Sequence, residues 1–149
     1  MENLIRKKLD EILEFMSVSP EVLIEEEDGT YKVVMNGEDL SFLIGFRGES
    51  LNALQTLVAN FVFNEKGEWV HILMDINGYR ESRRERIEEM VRGFIDRVRF
   101  HNSEVELPTM NAFERRQVHT FVSEYPDIIS ESTGEGRNRR VVLKLKAKE

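Results

Sequence analysis

Hydrophobic residues along the first half of the chain switch between helical and strand spacing. Apolar positions recur every three or four residues near the N-terminus and again after residue 50, which predicts two amphipathic helices, and a shorter helix is predicted before Gly45. Two runs rich in β-formers flank Asp28-Gly29, a strong hairpin signal, and a third run contains Trp69. The predicted elements are helix 4–16, strands 21–27 and 30–36, helices 38–44 and 49–66, and strand 68–76.

The second half of the chain repeats the mixture of helices and strands without repeating the sequence. Ile87, Val91 and Ile95 form an apolar stripe in a long segment rich in arginine and glutamate, which predicts a helix at about residues 79–100. The elements predicted after it are strand 104–107, helix 111–124 and strands 128–132 and 139–146. We therefore expect an α+β protein of two small domains, residues 1–77 and 78–149, joined by the long helix.

Composition limits the classes of function. The chain has 149 residues, of which 40% are hydrophobic and 33% charged, as in a soluble globular protein. The absence of cysteine excludes disulfides, thiolate metal sites and cysteine nucleophiles. No apolar run approaches the roughly 20 residues of a membrane-spanning helix, and the N-terminus has no signal-peptide pattern. We expect a cytoplasmic protein without membrane insertion.

Charge is distributed unevenly along the chain. The net charge is −7, and residues 21–39 alone carry a net charge of −6. Residues 137–148 contain six lysines and arginines and no acid. Because anion binding depends on the local potential, a basic face can exist on an acidic protein, although either charge run could equally be a solvated surface.

The segment Gly45-Phe46-Arg47-Gly48 separates two predicted helices. Glycine allows backbone conformations that other residues avoid and lets another chain approach closely. The next helix is predicted to start near Glu49, so its free N–H groups and Arg47 would favour an anion at the loop. The alternative is a plain tight turn in which glycine serves the backbone geometry only.

A second candidate site lies at Arg115-Arg116-Gln117-Val118-His119. Arg115 and His119 are four residues apart, which places them on one face of the predicted helix, and both side chains can bind phosphate. Arg139 and Arg140 follow a glycine-rich loop and would extend the basic surface. The alternative is a surface arginine beside a partly buried histidine.

In the order of its elements, the segment 1–77 resembles the type II KH domain (αββααβ). The resemblance implies that Gly45, Phe46, Arg47 and Gly48 grip the backbone of a single strand of about four nucleotides. Phe46 departs from the polar or basic residue that is common there, and could stack on a base.

Residues 80–147 resemble the R-three-H domain, which binds single-stranded nucleic acid and has a three-stranded sheet with helices on one face. In this resemblance Arg115 and His119 are the signature pair, and Arg116, Arg139 and Arg140 extend the surface.

The two resemblances together identify the chain as similar to the Jag family, also called SpoIIIJ-associated, KhpB or EloR proteins. The agreement rests on four stretches in the same order, at residues 43–55, 77–83, 110–119 and 131–142. The family implies a cytoplasmic RNA-binding regulator linked to cell elongation, division or sporulation in bacteria, often paired with a small stand-alone KH protein. We expect this chain to correspond to the family without its N-terminal Jag domain.

No motif in the sequence indicates an enzyme. A P-loop is missing, and His71, His101 and His119 are too far apart in sequence to suggest a metal site. We expect a single-stranded RNA-binding protein with no cofactor, present as a monomer or weak dimer, and single-stranded DNA remains open as a ligand. One alternative is a protein-interaction adaptor that pairs with another KH protein, with the acidic residues 25–28 as a docking patch and nucleic-acid binding secondary. Another is a hydrolase or nuclease that uses His119 with Glu114.

Overall fold

The structure, a computed structural model, describes residues 1–148 and divides into two compact units. The first unit is Met1–Arg80, and the second begins at Glu81. Each unit combines helices with a three-stranded sheet, which confirms the α+β class. Within residues 1–148, none of the helices has both the length and the apolar character that spanning a membrane requires.

The first unit has the predicted order of elements. They are α1 (Glu2–Phe15), β1 (Glu21–Glu27), β2 (Thr30–Asn36), α2 (Ser41–Ile44), α3 (Glu49–Lys66) and β3 (His71–Ile76). The strand order is β1-β2-β3, with β1 antiparallel and β3 parallel to β2. Both hairpin strands have the predicted limits, because Asp28 and Gly29 supply the two positive φ angles, 51° and 77°, that such a tight turn needs.

The core of the first unit lies between one face of the sheet and the helices α1 and α3. Alternate strand positions point into it, as period-two spacing requires. The fully buried side chains include Ile5, Leu9, Val33, Met35, Leu51, Val58, Met74 and Ile76. Two other apolar residues of α3, Leu57 and Phe61, are 41% and 38% exposed, although they share the helical spacing of the buried positions.

The strand predicted at 68–76 begins later, at His71. Trp69 lies before the strand and stacks on Phe63 near the end of α3, with ring centroids 4.3 Å apart. The β-forming character of Trp69 is therefore outweighed by an aromatic contact that the local sequence pattern does not reveal.

The second unit consists of a long helix, a second helix and an antiparallel sheet. Its elements are α4 (Tyr79–His101, whose first two residues belong to the first unit), β4 (Val105–Glu106), α5 (Ala112–Val122), β5 (Ile128–Thr133) and β6 (Arg140–Leu145). The strand order is β4-β6-β5. The buried residues Ile87, Val91, Ile95 and Val98 of α4 share a core with Val118 and Val122 of α5.

Helix α5 begins at a side-chain cap. The Asn111 side chain accepts a hydrogen bond from the Glu114 N–H at 2.8 Å, which satisfies one of the free donors of the first turn. The helix that begins at this cap carries the candidate residues Arg115, Arg116 and His119.

Candidate nucleic-acid interface

The loop between α2 and α3 is a tight turn that requires glycine. Its residues Phe46–Gly48 form one turn of 3₁₀-helix, and φ is +71° at Gly45, +53° at Arg47 and +79° at Gly48. Only glycine adopts such positive φ values without appreciable strain. The turn ends α2 and starts α3 within a few residues.

Both glycines lie against side chains of their own unit. A Cβ atom on Gly45 would clash with Ser50 Oγ, and a Cβ atom on Gly48 would lie 2.9 Å from Tyr79 Cε1. Gly48 is also buried. The tight-turn interpretation therefore explains why glycine is needed at both positions, and an approaching ligand would meet the residues between them.

The tip of the loop presents an aromatic ring and a cation. Phe46 is 70% exposed, and the Arg47 guanidinium carbon lies 4.8 Å from the centre of its ring, a cation–π contact. Gly48 is the N-cap residue of α3 and provides no side-chain cap for the first turn. The N–H groups of that turn thus keep the capacity to bind an anion, although Glu49 adds a negative charge beside them.

The Tyr79 ring packs against Gly48 of the loop, a contact that the sequence did not predict. It lies at the start of α4, next to Arg80, whose Nε donates to the Met74 carbonyl at 2.6 Å. The Arg80 guanidinium also donates to Asn52 Oδ1 at 3.2 Å and Gln55 Oε1 at 3.1 Å on α3. The only available signal was Tyr79-Arg80 following the Asn77-Gly78 turn.

The second candidate site is centred on His119 of α5. His119 Nδ1 lies 2.7 Å from Ser130 Oγ, and Nε2 lies 2.8 Å from Ser132 Oγ, both on β5. Burial lowers the pKa of His119 below its usual value, and the positive charges of Arg115 and Arg139 lower it further. His119 is therefore a neutral, half-buried side chain at neutral pH, held between two hydroxyl groups.

The arginines around His119 are oriented by backbone carbonyls. Arg115 Nη1 donates to the Met110 carbonyl at 2.5 Å, and Arg139 Nη1 donates to the Gly134 carbonyl at 2.9 Å. Neither interaction neutralises the guanidinium charge. Arg140 differs, because its Nη1 lies 3.4 Å from a Glu106 carboxylate oxygen. The cluster around His119 therefore consists of Arg115, His119 and Arg139, and the two arginines carry its positive charge. Arg140 is partly neutralised by Glu106.

Arg116 does not belong to this cluster. Successive residues of an α-helix are about 100° apart, and Arg116 lines a groove between α4 and α5 together with Phe113 and Arg84. The sequence grouping of Arg115, Arg116 and His119 is thus divided between two faces of α5. Ser130 and Ser132 were missed, although their spacing of two in a strand places them on one face.

The geometry contradicts the pairing expected for a nuclease. Glu114 is only 4% exposed, and its Oε1 accepts from Arg83 Nε at 3.0 Å. His119 contacts the two serines and not Glu114. Within residues 1–148, no group of three or more His, Cys, Asp or Glu residues could hold a metal ion.

Comparisons with known families and proteins cover both units. The sequence model of the KhpA/KhpB KH domain matches residues 2–73, and that of the R-three-H domain matches residues 85–145. The RNA-binding protein KhpB of Clostridium symbiosum is 29% identical over 140 residues, which cover 93% of this chain and 63% of that protein. RNA-binding protein KhpB of Bacillus subtilis (strain 168) is 31% identical over 140 residues, covering 93% and 67%. The chain spans about two thirds of the length of these two relatives.

Proposed function

Since the chain belongs to the KhpB family, with a KH domain followed by an R-three-H domain, we propose that it binds single-stranded RNA. The observation that carries the proposal is the tip of the loop at 45–48. There an exposed aromatic ring, an arginine and the uncapped first turn of a long helix occur together. Aromatic rings stack on unpaired bases, and helix N-termini with arginine bind phosphate.

In the first unit, Phe46 stacks on a base while Arg47 and the first N–H groups of α3 contact the backbone. Gly45 and Gly48 act indirectly, because they allow the turn that places these groups at the surface. This division of roles predicts that Phe46 and Arg47 can be changed without unfolding the unit, whereas the glycines cannot.

In the second unit, Arg115 and Arg139 contact phosphate, and His119 orients the hydroxyls of Ser130 and Ser132 beside them. A hydroxyl group can donate to a phosphate oxygen, and an arginine can donate in a bidentate manner. Arg140 contributes less because Glu106 offsets its charge. Two modest sites on one chain increase the overall affinity when both engage the same strand.

At the cellular level, we propose that the protein is a bacterial post-transcriptional regulator in the cytoplasm, which acts in cell elongation, division or sporulation. It is not an enzyme and needs no cofactor. Single-stranded DNA is an alternative ligand, and a small stand-alone KH protein is a candidate partner.

Fluorescence anisotropy with a labelled, unpaired oligoadenylate of about eight nucleotides, twice the usual KH footprint, tests RNA binding. We expect Phe46→Ala combined with Arg47→Asn to weaken binding at least about fivefold, the loss of about 1 kcal/mol of stacking. Asparagine is chosen because it tolerates positive φ. Arg86→Ala is the matched control, since it removes an exposed cation outside both sites. Equal affinity of the double variant and the control would refute the role of the loop.

One observation favours a second function, that of a protein-interaction adaptor. On the outer face of the first sheet, Leu23 and Leu73 are 52% and 43% exposed, and Glu21 and Glu25 flank Leu23 on β1. Exposed leucines can form a protein-docking surface, and the carboxylates beside Leu23 repel RNA, although Lys32 of β2 lies next to Leu73 on the same face. Light scattering after size exclusion, with and without RNA, tests this function: assembly that persists without RNA and is lost in Leu23→Asn would support it.

A further inference from the structure

A groove of about 410 Å³ separates α4 from α5 in the second unit. Its volume is within the range of small-molecule sites, about 300–1,000 Å³. Its lining includes Arg84, Glu88, Phe113, Arg116, Phe121 and Glu124. Neither the signature pair of α5 nor the loop at 45–48 uses these side chains.

The groove has an aromatic surface that is open to solvent. Phe113 lies in the first turn of α5 and is 72% exposed. Phe121 is half-buried and carries the Arg92 guanidinium carbon 5.2 Å from the centre of its ring. An exposed phenylalanine in a groove that also contains arginine is a favourable surface for a flat ring, because both side chains stack on nucleobases.

The groove offers hydrogen-bond acceptors beside its arginine donors. The Glu124 carboxylate has no ion-pair or hydrogen-bond partner within residues 1–148. Glu88 accepts from Arg84 Nη1 at 3.1 Å and has a second oxygen. Gln117 donates its Nε2 to the Arg84 carbonyl at 3.3 Å, which leaves its amide oxygen as an acceptor.

The charge of the groove disfavours a phosphate group. Arg84 is held by Glu81 and Glu88, and Arg116 shares the groove with Glu124, so positive and negative charges balance. Phosphate binding requires a net positive potential. A neutral base has no such requirement, and carboxylates bind the exocyclic amino groups that adenine, cytosine and guanine carry and uracil lacks.

We propose that this groove holds one unstacked nucleobase of the RNA, stacked on Phe113, and that its carboxylates favour bases with an exocyclic amino group over uracil. The proposal rests on the RNA binding proposed above. Arg115 immediately precedes Arg116 on α5, so a strand with its phosphate at Arg115 has a short path to the groove.

The test compares the affinities of the full chain for oligoadenylate, oligocytidylate and oligouridylate of equal length by anisotropy. We expect Phe113→Ala to weaken binding to all three about fivefold, the equivalent of about 1 kcal/mol of stacking. Phe100→Ala is the matched control, because Phe100 is 85% exposed on α4 and lies outside the groove. Thermal melts should show both variants folded, since neither ring is buried.

Glu124→Gln tests base selection separately. We expect it to lower the ratio of adenylate to uridylate affinity at least about threefold, because the amide can donate to a uracil carbonyl as well as accept. Any base preference of the first unit cancels when this ratio is compared with that of the parent protein. Suppose that Phe113→Ala binds RNA as tightly as Phe100→Ala, and that Glu124→Gln keeps the adenylate-to-uridylate ratio of the parent protein. The groove then serves another ligand, such as a protein helix, and this inference is overturned while the proposed RNA binding stands. If no RNA binds to the parent protein, the proposed function falls with it.

Discussion

Gly48 is the residue of the loop that packs against Tyr79 at the start of α4. Its φ is +79°, and a Cβ atom there would lie 2.9 Å from Tyr79 Cε1. Gly48→Ala therefore introduces two costs, backbone strain and a steric clash with a ring that supports the loop. A test variant with a charged side chain at Gly48 would introduce the same clash, so it would confuse lost folding with lost RNA binding.

Gly67 separates the two costs. Gly67 follows the last residue of α3, and Gly48 precedes the first. Gly67 has φ +77° and ψ 7°, almost the same as Gly48, which has φ +79° and ψ 11°. A Cβ atom on Gly67 would have no other atom within 4 Å. Left-handed backbone costs a non-glycine residue about 1–2 kcal/mol, which both alanine variants incur. Overpacking adds about 1–3 kcal/mol for Gly48→Ala only. The two variants should therefore differ in free energy of unfolding by the overpacking cost alone.

Trp69 provides the assay, because it is the only tryptophan and lies in the first unit, stacked on Phe63. Urea unfolding followed by Trp69 fluorescence should give Gly48→Ala a lower free energy of unfolding than Gly67→Ala by about 1–3 kcal/mol. In a thermal melt, each 1 kcal/mol corresponds to about 4–8 °C for a domain of this size. Equal losses in the two variants would show that Tyr79 does not pack tightly against Gly48.

Three further predictions concern the second unit and RNA binding. Folding lowers the pKa of His119, so the unfolded chain binds a proton more readily than the folded one. The free energy of unfolding of the second unit should therefore fall as pH drops through about 6.5. Urea unfolding followed by circular dichroism should show less of this pH dependence in His119→Gln. Arg83→Ala leaves the Glu114 carboxylate buried without its ion pair and should cost about 3 kcal/mol. The double variant with Glu114→Gln should recover part of this loss in the same assay, and no recovery would mean that Arg83 contributes packing alone. With three phosphate-binding arginines, the slope of log K against log salt should be shallow, roughly −2, and a slope several times steeper would point to an unrecognised basic surface.

The order of elements could be predicted from the sequence because strong local signals fix it. Asp28-Gly29 sets both hairpin strands, and Gly67 ends α3 in the left-handed conformation. The start of β3 could not be predicted in the same way. Trp69 has a high strand propensity, but it stacks on Phe63 instead, and β3 begins at His71, which pairs with Thr30, the first residue of β2.

The candidate sites were predictable as stretches of sequence but not as surfaces. Tyr79 is far from Gly48 in sequence, so its contact with the loop depends on the tertiary fold. The two hydroxyls that hold His119 come from β5, and polar residues in a strand usually mark only a solvent face. Arg116 was separable in principle, because helical phase alone turns it about 100° away from Arg115.

We propose above all that an unpaired RNA strand lies on the loop tip at 45–48 and on the cluster around His119. A titration of the isotope-labelled protein with unpaired RNA in dilute buffer, followed by amide NMR shifts, tests it most directly. We predict saturable shifts at Phe46, Arg47 and the first turn of α3, together with Arg115 and Arg139, and much smaller shifts with duplex RNA. Unchanged spectra at both sites, or shifts confined to other surfaces, would contradict the account.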